Sequence, residues 1–295
     1  MNWQPGHSEA PMAPIRIEAI IDTVCPWCYI GKKRLEKALV REKLDHMPIT
    51  WRPFLLNPDM PTGGIDRKLY LSAKFGGTES AGRVYKAIEA AGAAVGIDFN
   101  FDAIRLTPDS TDSHRVIYKV CAERPAVGND LVEDLFTAYF LDGRDIGDLD
   151  VLVEIAVTHG EDRNEILDYL GGDMDREFVS QENRVAHQMG VTGVPCFLFN
   201  GRHALSGAQE PEILQRMIRL ARQEETPIWH VSRMGIKKAG PERVPAFFVM
   251  LLQQYRPSDA SGALNLPIDL SDHPTPQHKR SCDPGANGPR QPVAG

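Results

Sequence analysis

The sequence predicts an α/β fold in which a βαβ unit and a later ββα unit are separated by a large all-helical block. Three observations carry that prediction. Residues 15–22 are an apolar, β-branched run that leads into Cys25-Pro-Trp-Cys28, after which Leu35 and Leu39 stand four apart. About residues 62–190 show helical periodicity and no convincing strand. Strand chemistry then returns at residues 193–201, which close on Asn200-Gly201, a strong hairpin signal.

The first run is long enough for one buried strand, and residues 25–44 read as an amphipathic helix. Two cysteines therefore stand where a strand gives way to a helix. The unpaired N–H groups and positive dipole end of a helix start favour a thiolate, which is the nucleophilic form. A second thiol three residues on is near enough to close a disulfide over one turn. Pro26 suits a first-turn position, because its missing N–H is not needed there. Cys25 is expected to be the exposed attacking sulfur and Cys28 the deeper, resolving one. Half of a zinc site is the competing reading, but zinc needs about four ligands, usually as two close pairs. Cys121, Cys196 and Cys282 are single.

A chain of 295 residues can bury a full core, and 42% hydrophobic with 25% charged content is ordinary for a globular protein. A net charge of −7 argues against a phosphate-backbone partner, so no nucleic acid is expected. The densest basic run, Lys32-Lys33-Arg34, reads as a solvated helix face beside the thiols. Residues 1–14 lack a basic segment followed by an apolar one, and no run approaches the length of a membrane span. Five cysteines do not make a disulfide scaffold. The expectation is a cytoplasmic protein without a membrane partner, whose cysteine pair is mostly reduced at rest.

In chain order, residues 1–14 are a polar leader expected to be disordered. Residues 49–56 form a second strand, ended by Asn57-Pro58, and complete a parallel βαβ unit. Helices are expected at residues 81–96, 112–123, 131–141, 148–159, 164–170 and 173–189. Residues 202–207 pair back onto the strand before them. A closing helix then carries Ile213, Leu214, Met217, Ile218 and Ala221 on one face. Beyond residue 225 the composition shifts, and ten of the 22 prolines lie there. Val244, Phe247, Phe248, Leu251, Leu252 and Tyr255 mark a helical stripe in residues 226–256, expected to dock on the parent domain. Residues 257–295 read as a disordered tail.

This is the plan of a thioredoxin fold interrupted by helices. A cis proline facing the Cys-x-x-Cys belongs to that plan. Pro195, entering the strand after the helical block, is the expected one, exposing the backbone of Val194 to an extended substrate. The sequence resembles the DsbA-like thioredoxin-fold family, most closely its FrnE-type oxidoreductase branch, over about residues 15–222. That branch is related to 2-hydroxychromene-2-carboxylate isomerases and kappa-class glutathione transferases. The motifs that carry the resemblance are Asp22-Thr-Val-Cys-Pro-Trp-Cys-Tyr-Ile-Gly, Trp51-Arg-Pro-Phe-Leu-Leu-Asn-Pro, Ala138-Tyr-Phe-Leu-Asp-Gly-Arg-Asp-Ile-Gly, Gly190-Val-Thr-Gly-Val-Pro-Cys-Phe and Ser206-Gly-Ala-Gln.

The resemblance implies a domain over residues 15–225 and a thiol–disulfide oxidoreductase whose redox pair is Cys25 and Cys28. Pro26, Trp27, Val194, Pro195, Cys196 and His114 are the expected substrate-binding residues, with no metal. Glutathione is a candidate co-substrate, no cofactor is held tightly, and the partner is a thiol or disulfide on a protein, on glutathione or on a small molecule. A homodimer is compatible with the resemblance. Where isomerase and transferase relatives usually carry serine at the first cysteine position, this chain keeps both cysteines, which favours redox chemistry. Asp109 stands where relatives use an amide near the substrate. Cys196 replaces a residue that is usually aromatic or aliphatic, and its sulfur is either within reach of Cys25 or a small buried hydrophobe. The alternative function is a glutathione-dependent isomerase or transferase acting on a small aromatic or polyketide-like metabolite. A redox-sensing binding protein that uses residues 226–295 as its partner surface is a third reading.

Overall fold

A computed structural model describes residues 15–223. The leader, the docking segment at 226–256, the tail at 257–295 and Cys282 lie outside the described residues. The chain opens with β1 (Ile17–Ile21), α1 (Pro26–Arg41) and β2 (Thr50–Pro53). β1 and β2 are parallel with Glu18 opposite Thr50, so this is the expected βαβ unit. Pro53 fits because β2 is an edge strand, where a missing N–H costs no ladder bond. Two short strands follow, β3 (Ile65–Asp66) and β4 (Leu106–Thr107), which pair antiparallel as a separate two-stranded sheet. The sequence expectation of no strand in this block is corrected here. Two-residue strands are too short to show any periodicity.

Between β3 and β4 lie α2 (Arg67–Phe75) and α3 (Thr78–Ala93), and α2 was also not expected from the sequence. Asp66 caps it by accepting from the backbone N–H groups of Lys68 and Leu69, each at 3.0 Å. Gly76 ends it at φ +69°, a left-handed position that suits glycine. The block continues as α4 (Thr111–Glu123), α5 (Gly128–Phe140), α6 (Leu149–Thr158), α7 (Arg163–Gly171) and α8 (Arg176–Gln188). The chain then returns through β5 (Cys196–Phe199) and β6 (His203–Ser206) to α9 (Pro211–Gln223).

The main sheet runs β2-β1-β5-β6, with β5 antiparallel to both of its neighbours. Because side chains alternate across a strand, each face has its own core. Ile17, Ala19, Ile21, Phe197 and Phe199 join α1, α9 and the helical block in the larger core. Ile20, Cys196 and Leu198 face the other way, against Phe54, Ala186 and Val191. Both cysteines of the pair lie in the larger core.

Candidate active site

Cys25 is the N-cap of α1, in an extended conformation, and its carbonyl accepts from the N–H of Cys28 at 3.0 Å. Its own N–H donates to the Asp22 carbonyl at 3.1 Å, so the turn between β1 and α1 is locked on both sides. Pro26 occupies the first helical position, as expected, and Trp27 is half-buried. Both cysteines are free thiols. Burial, reinforced by the neighbouring Cys25 sulfur, pushes the Cys28 thiol well above its ordinary value. Cys28 is therefore held in its protonated form near neutral pH.

The Val194–Pro195 bond is cis, and the Cys25 Sγ lies 3.8 Å from the Val194 carbonyl oxygen. Gly31, one turn beyond Cys28, makes this approach possible: a Cβ built there would stand 2.7 Å from Cγ of Pro195. One expectation is corrected. Cys25 is not exposed: it is 2% accessible and Cys28 is 0%. The proline loop and the helical block close over the pair, and an isolated strand-to-helix turn would not show this.

Asp22, fully buried at the end of β1, lies directly beneath the pair. Its carboxylate accepts from the N–H of Val24 at 3.2 Å and of Leu56 at 2.7 Å, which joins the α1 turn to the end of β2. His114, buried on α4, places Nε2 3.8 Å from that carboxylate, and Nε2 has no hydrogen-bond partner among the described residues. The first turn of α4 is anchored by a 2.7 Å bond between Ser113 and Thr23. His114 is therefore brought to the site, next to Asp22. Asp109 is occupied in capping: its carboxylate accepts from Thr111 N–H and hydroxyl at 2.9 and 2.7 Å.

Cys196 lies on the opposite face of the sheet from Cys25 and Cys28, in the smaller core. Burial pushes its thiol up to about 12. Of the two readings open in the sequence, the structure gives the small buried hydrophobe and corrects the placement of Cys196 beside the substrate. The basic run is also corrected. Lys32 is 2% exposed and ion-paired to Glu36 and Glu133, Lys33 reaches Glu133 at 2.5 Å, and Arg34 reaches Glu210 at 2.7 Å. These charges tie α1 to its neighbours and do not form a solvated face.

On α2, Lys74 donates to the Tyr70 hydroxyl at 2.8 Å, and Tyr70 donates to Asn57 Oδ1 at 3.0 Å. Arg67, also on α2, donates to the hydroxyls of Tyr85 and Tyr139 at 2.8 and 3.0 Å. No group of three or more His, Cys, Asp or Glu side chains among the described residues is placed to hold a metal ion. None of the described helices is long and apolar enough to cross a membrane.

The model of the DsbA-like thioredoxin domain matches residues 16–219. The chain belongs to the DsbA-like thioredoxin family. A crystal structure of a probable DsbA oxidoreductase from Streptomyces coelicolor is 31% identical, covering 73% of this chain and 93% of that one, with a TM-score of 0.65. Two further structures show the same fold at 18% identity. The cytosolic disulfide reductase DsbM from Pseudomonas aeruginosa, solved with GSH, covers 71% of this chain and 100% of its own at a TM-score of 0.51. A 2-hydroxychromene-2-carboxylate isomerase covers 70% and 96% at 0.52.

Within this DsbA-like domain, Asp22 is the site neighbour that sequence reasoning missed: its carbonyl accepts from the Cys25 N–H and its carboxylate from the Val24 N–H, but in the sequence it reads as a strand end.

Proposed function

We propose that this protein is a thiol–disulfide oxidoreductase whose redox pair is Cys25 and Cys28. The single observation that carries the reading is the arrangement at the start of α1. Cys25 caps the helix within 3.8 Å of the cis-proline loop, and Cys28 is held protonated behind it. In the oxidising direction for the protein, the Cys25 thiolate attacks one sulfur of a substrate disulfide. A mixed disulfide forms and the other substrate sulfur leaves as a thiolate, taking up a proton. Cys28 then gives up its proton and attacks Cys25 Sγ. The Cys25–Cys28 disulfide forms and the second substrate sulfur leaves. Two electrons pass from the pair to the substrate; Cys28 gives up one proton and solvent supplies the other, since Cys25 enters as the thiolate. The Val194 carbonyl and Pro195, with Pro26 and Trp27 opposite, frame the approaching sulfur.

The cover over Cys25 favours a small or extended substrate over a rigid protein surface. Glutathione and its mixed disulfides are the proposed class, in a reducing, cytoplasmic setting and without a tightly bound cofactor. The DsbM structure, solved with GSH, supports this choice of class. Turnover of glutathione disulfide by wild type, Cys25→Ser and Cys28→Ser tests the reading. Cys25→Ser is expected to be inactive, and Cys28→Ser to stop as a mixed disulfide on Cys25.

The same cover supports a second reading, an isomerase or transferase in which Cys25 engages glutathione and Cys28 is dispensable. Full activity of Cys28→Ser on a glutathione adduct would select it.

A further inference from the structure

His114 on α4 keeps an unmet hydrogen-bonding atom inside the protein. The residue is 3% exposed, and its Nε2 is buried with no hydrogen-bond partner among the described residues. Leaving such an atom unpaired costs about 1–3 kcal/mol, so a side chain kept for packing alone would be apolar. The group it faces is the carboxylate of Asp22, itself fully buried. Nε2 stands 3.8 Å from Oδ1, just beyond hydrogen-bond range.

The two oxygens of that carboxylate are held unequally. Oδ2 accepts from Leu56 N–H at 2.7 Å, whereas Oδ1, the oxygen facing His114, accepts from Val24 N–H at 3.2 Å. A carboxylate oxygen has two lone pairs, so Oδ1 has room for a second donor. The imidazole nitrogen that faces an acceptor is the one that carries the hydrogen, which makes Nε2–H a donor aimed at Oδ1. Both partners are tied to the redox turn. The Asp22 carbonyl accepts from Cys25 N–H at 3.1 Å, and Ser113, beside His114, is bonded to Thr23 at 2.7 Å. Asp22 therefore moves with Cys25, while α4 grips the same turn at Thr23.

We propose that His114 is a positioning residue for the reaction at Cys25: its Nε2–H closes onto Asp22 Oδ1 when Cys25 is joined to substrate in the mixed disulfide, and holds the turn there while Cys28 attacks. In the free thiol form Cys25 is 2% accessible and its Sγ lies 3.8 Å from the Val194 carbonyl oxygen, so a second sulfur has no room beside it unless the turn shifts. That shift carries Asp22 with Cys25, and about 1 Å of it toward α4 brings Oδ1 to an ordinary hydrogen-bond length from Nε2. Hydrogen bonds that serve a reaction are often long in the free protein and tighten in the complex. In the exchange itself, Cys25 Sγ bonds to one sulfur of the substrate disulfide, that disulfide breaks, and the departing thiolate takes its proton from solvent. No proton passes through His114. A bond unmade in the thiol and made in the mixed disulfide draws the exchange toward the mixed disulfide.

The test is the exchange equilibrium of the full chain with glutathione disulfide in a Cys28→Ser background, where the mixed disulfide on Cys25 persists, read on the Cys25 peptide by mass spectrometry. Adding His114→Leu is expected to lower the equilibrium constant about ten-fold, the worth of one hydrogen bond to a carboxylate. His114→Gln, whose amide N–H reaches the place of Nε2, should stay within about three-fold of the Cys28→Ser parent. A histidine needed only for packing would lower the melting temperature of the thiol form in His114→Leu and leave the equilibrium unmoved. An equilibrium constant in His114→Leu equal to the parent's, or a Gln variant displaced as far as Leu, overturns the proposal. If His114→Leu does not fold, His114→Asn, whose amide stops one atom short, decides in its place, and an unmoved constant there overturns it. The inference rests on the proposed function in taking Cys25 as the sulfur that joins substrate. Absence of any mixed disulfide on Cys25 in the parent would overturn both, whereas a mixed disulfide formed equally well without the imidazole removes His114 alone.

Discussion

Two cysteines eight tenths of the domain apart in sequence, Cys25 and Cys196, both lie near Pro195, yet only one shares a face with the redox pair. Strand alternation decides this: Cys196 pairs with Ile20 and points with it into the smaller core, while Phe197 points toward α1. With its thiol raised to about 12 by burial, Cys196 has almost no thiolate at neutral pH. Cys196→Ala is therefore expected to leave disulfide turnover within about two-fold of wild type while costing about 1 kcal/mol of stability. A urea melt and a turnover assay check both. A large loss of turnover would return Cys196 to the chemistry. At this scale the sequence was informative wherever spacing reports geometry. Cys25, Cys28 and Pro195 were legible because the strand-to-helix junction and the order of elements place them. Asp22 was not, because its burial and carboxylate contacts are set by Leu56 and His114, far from it in sequence. The Leu56–Asp22 bond alone spans 34 residues.

At the scale of elements, the packing of α1 on the proline loop gives the sharpest expectation. Glycine inside a helix ordinarily costs about 1 kcal/mol relative to alanine. At Gly31 the sign should reverse, since the added Cβ would meet Pro195 at 2.7 Å and Phe197 at 3.3 Å. Gly31→Ala is expected to destabilise the domain by about 1–3 kcal/mol and to slow reaction at Cys25 by displacing the loop. Chemical denaturation and the alkylation rate measure the two effects. A stabilised Gly31→Ala variant would show that the loop is not held as described. The βαβ unit, the β5–β6 hairpin and most helices were legible from periodicity and turn residues. α2 was not. Its sequence, Arg67-Lys-Leu-Tyr-Leu-Ser-Ala-Lys-Phe75, commits polar and charged side chains, Arg67 and Lys74, to its buried side. An apolar stripe is the signal that sequence reading relies on, and here polar contacts replace it.

At the scale of the whole molecule, charges clamp the redox helix to the helical block. Burial would push Glu133 on α5 up, but Lys32 and Lys33 outweigh it and hold the carboxylate below its ordinary range. A carboxylate lowered in the folded state stabilises above its unfolded value, about 4.3, and that contribution is lost as pH falls through the folded value. Glu133→Gln is accordingly expected to cost about 1–2 kcal/mol at pH 7, screening of a partly exposed group included, and to lose less than wild type below about pH 4. Thermal melts across pH 2.5–7, a range set by ordinary carboxylate values, follow both limbs. Two parallel acid limbs would remove Glu133 from the account. The central claim concerns the pair itself, and its most direct test is equilibration of the protein in glutathione redox buffers with the Cys25–Cys28 disulfide counted by mass. The account predicts a two-electron couple between about −270 and −120 mV, the span from thioredoxin to DsbA. It should be lost in Cys28→Ser and unmoved in Cys196→Ala. If no Cys25–Cys28 disulfide forms at any poise, and Cys28→Ser still turns over a glutathione adduct, the oxidoreductase account is contradicted.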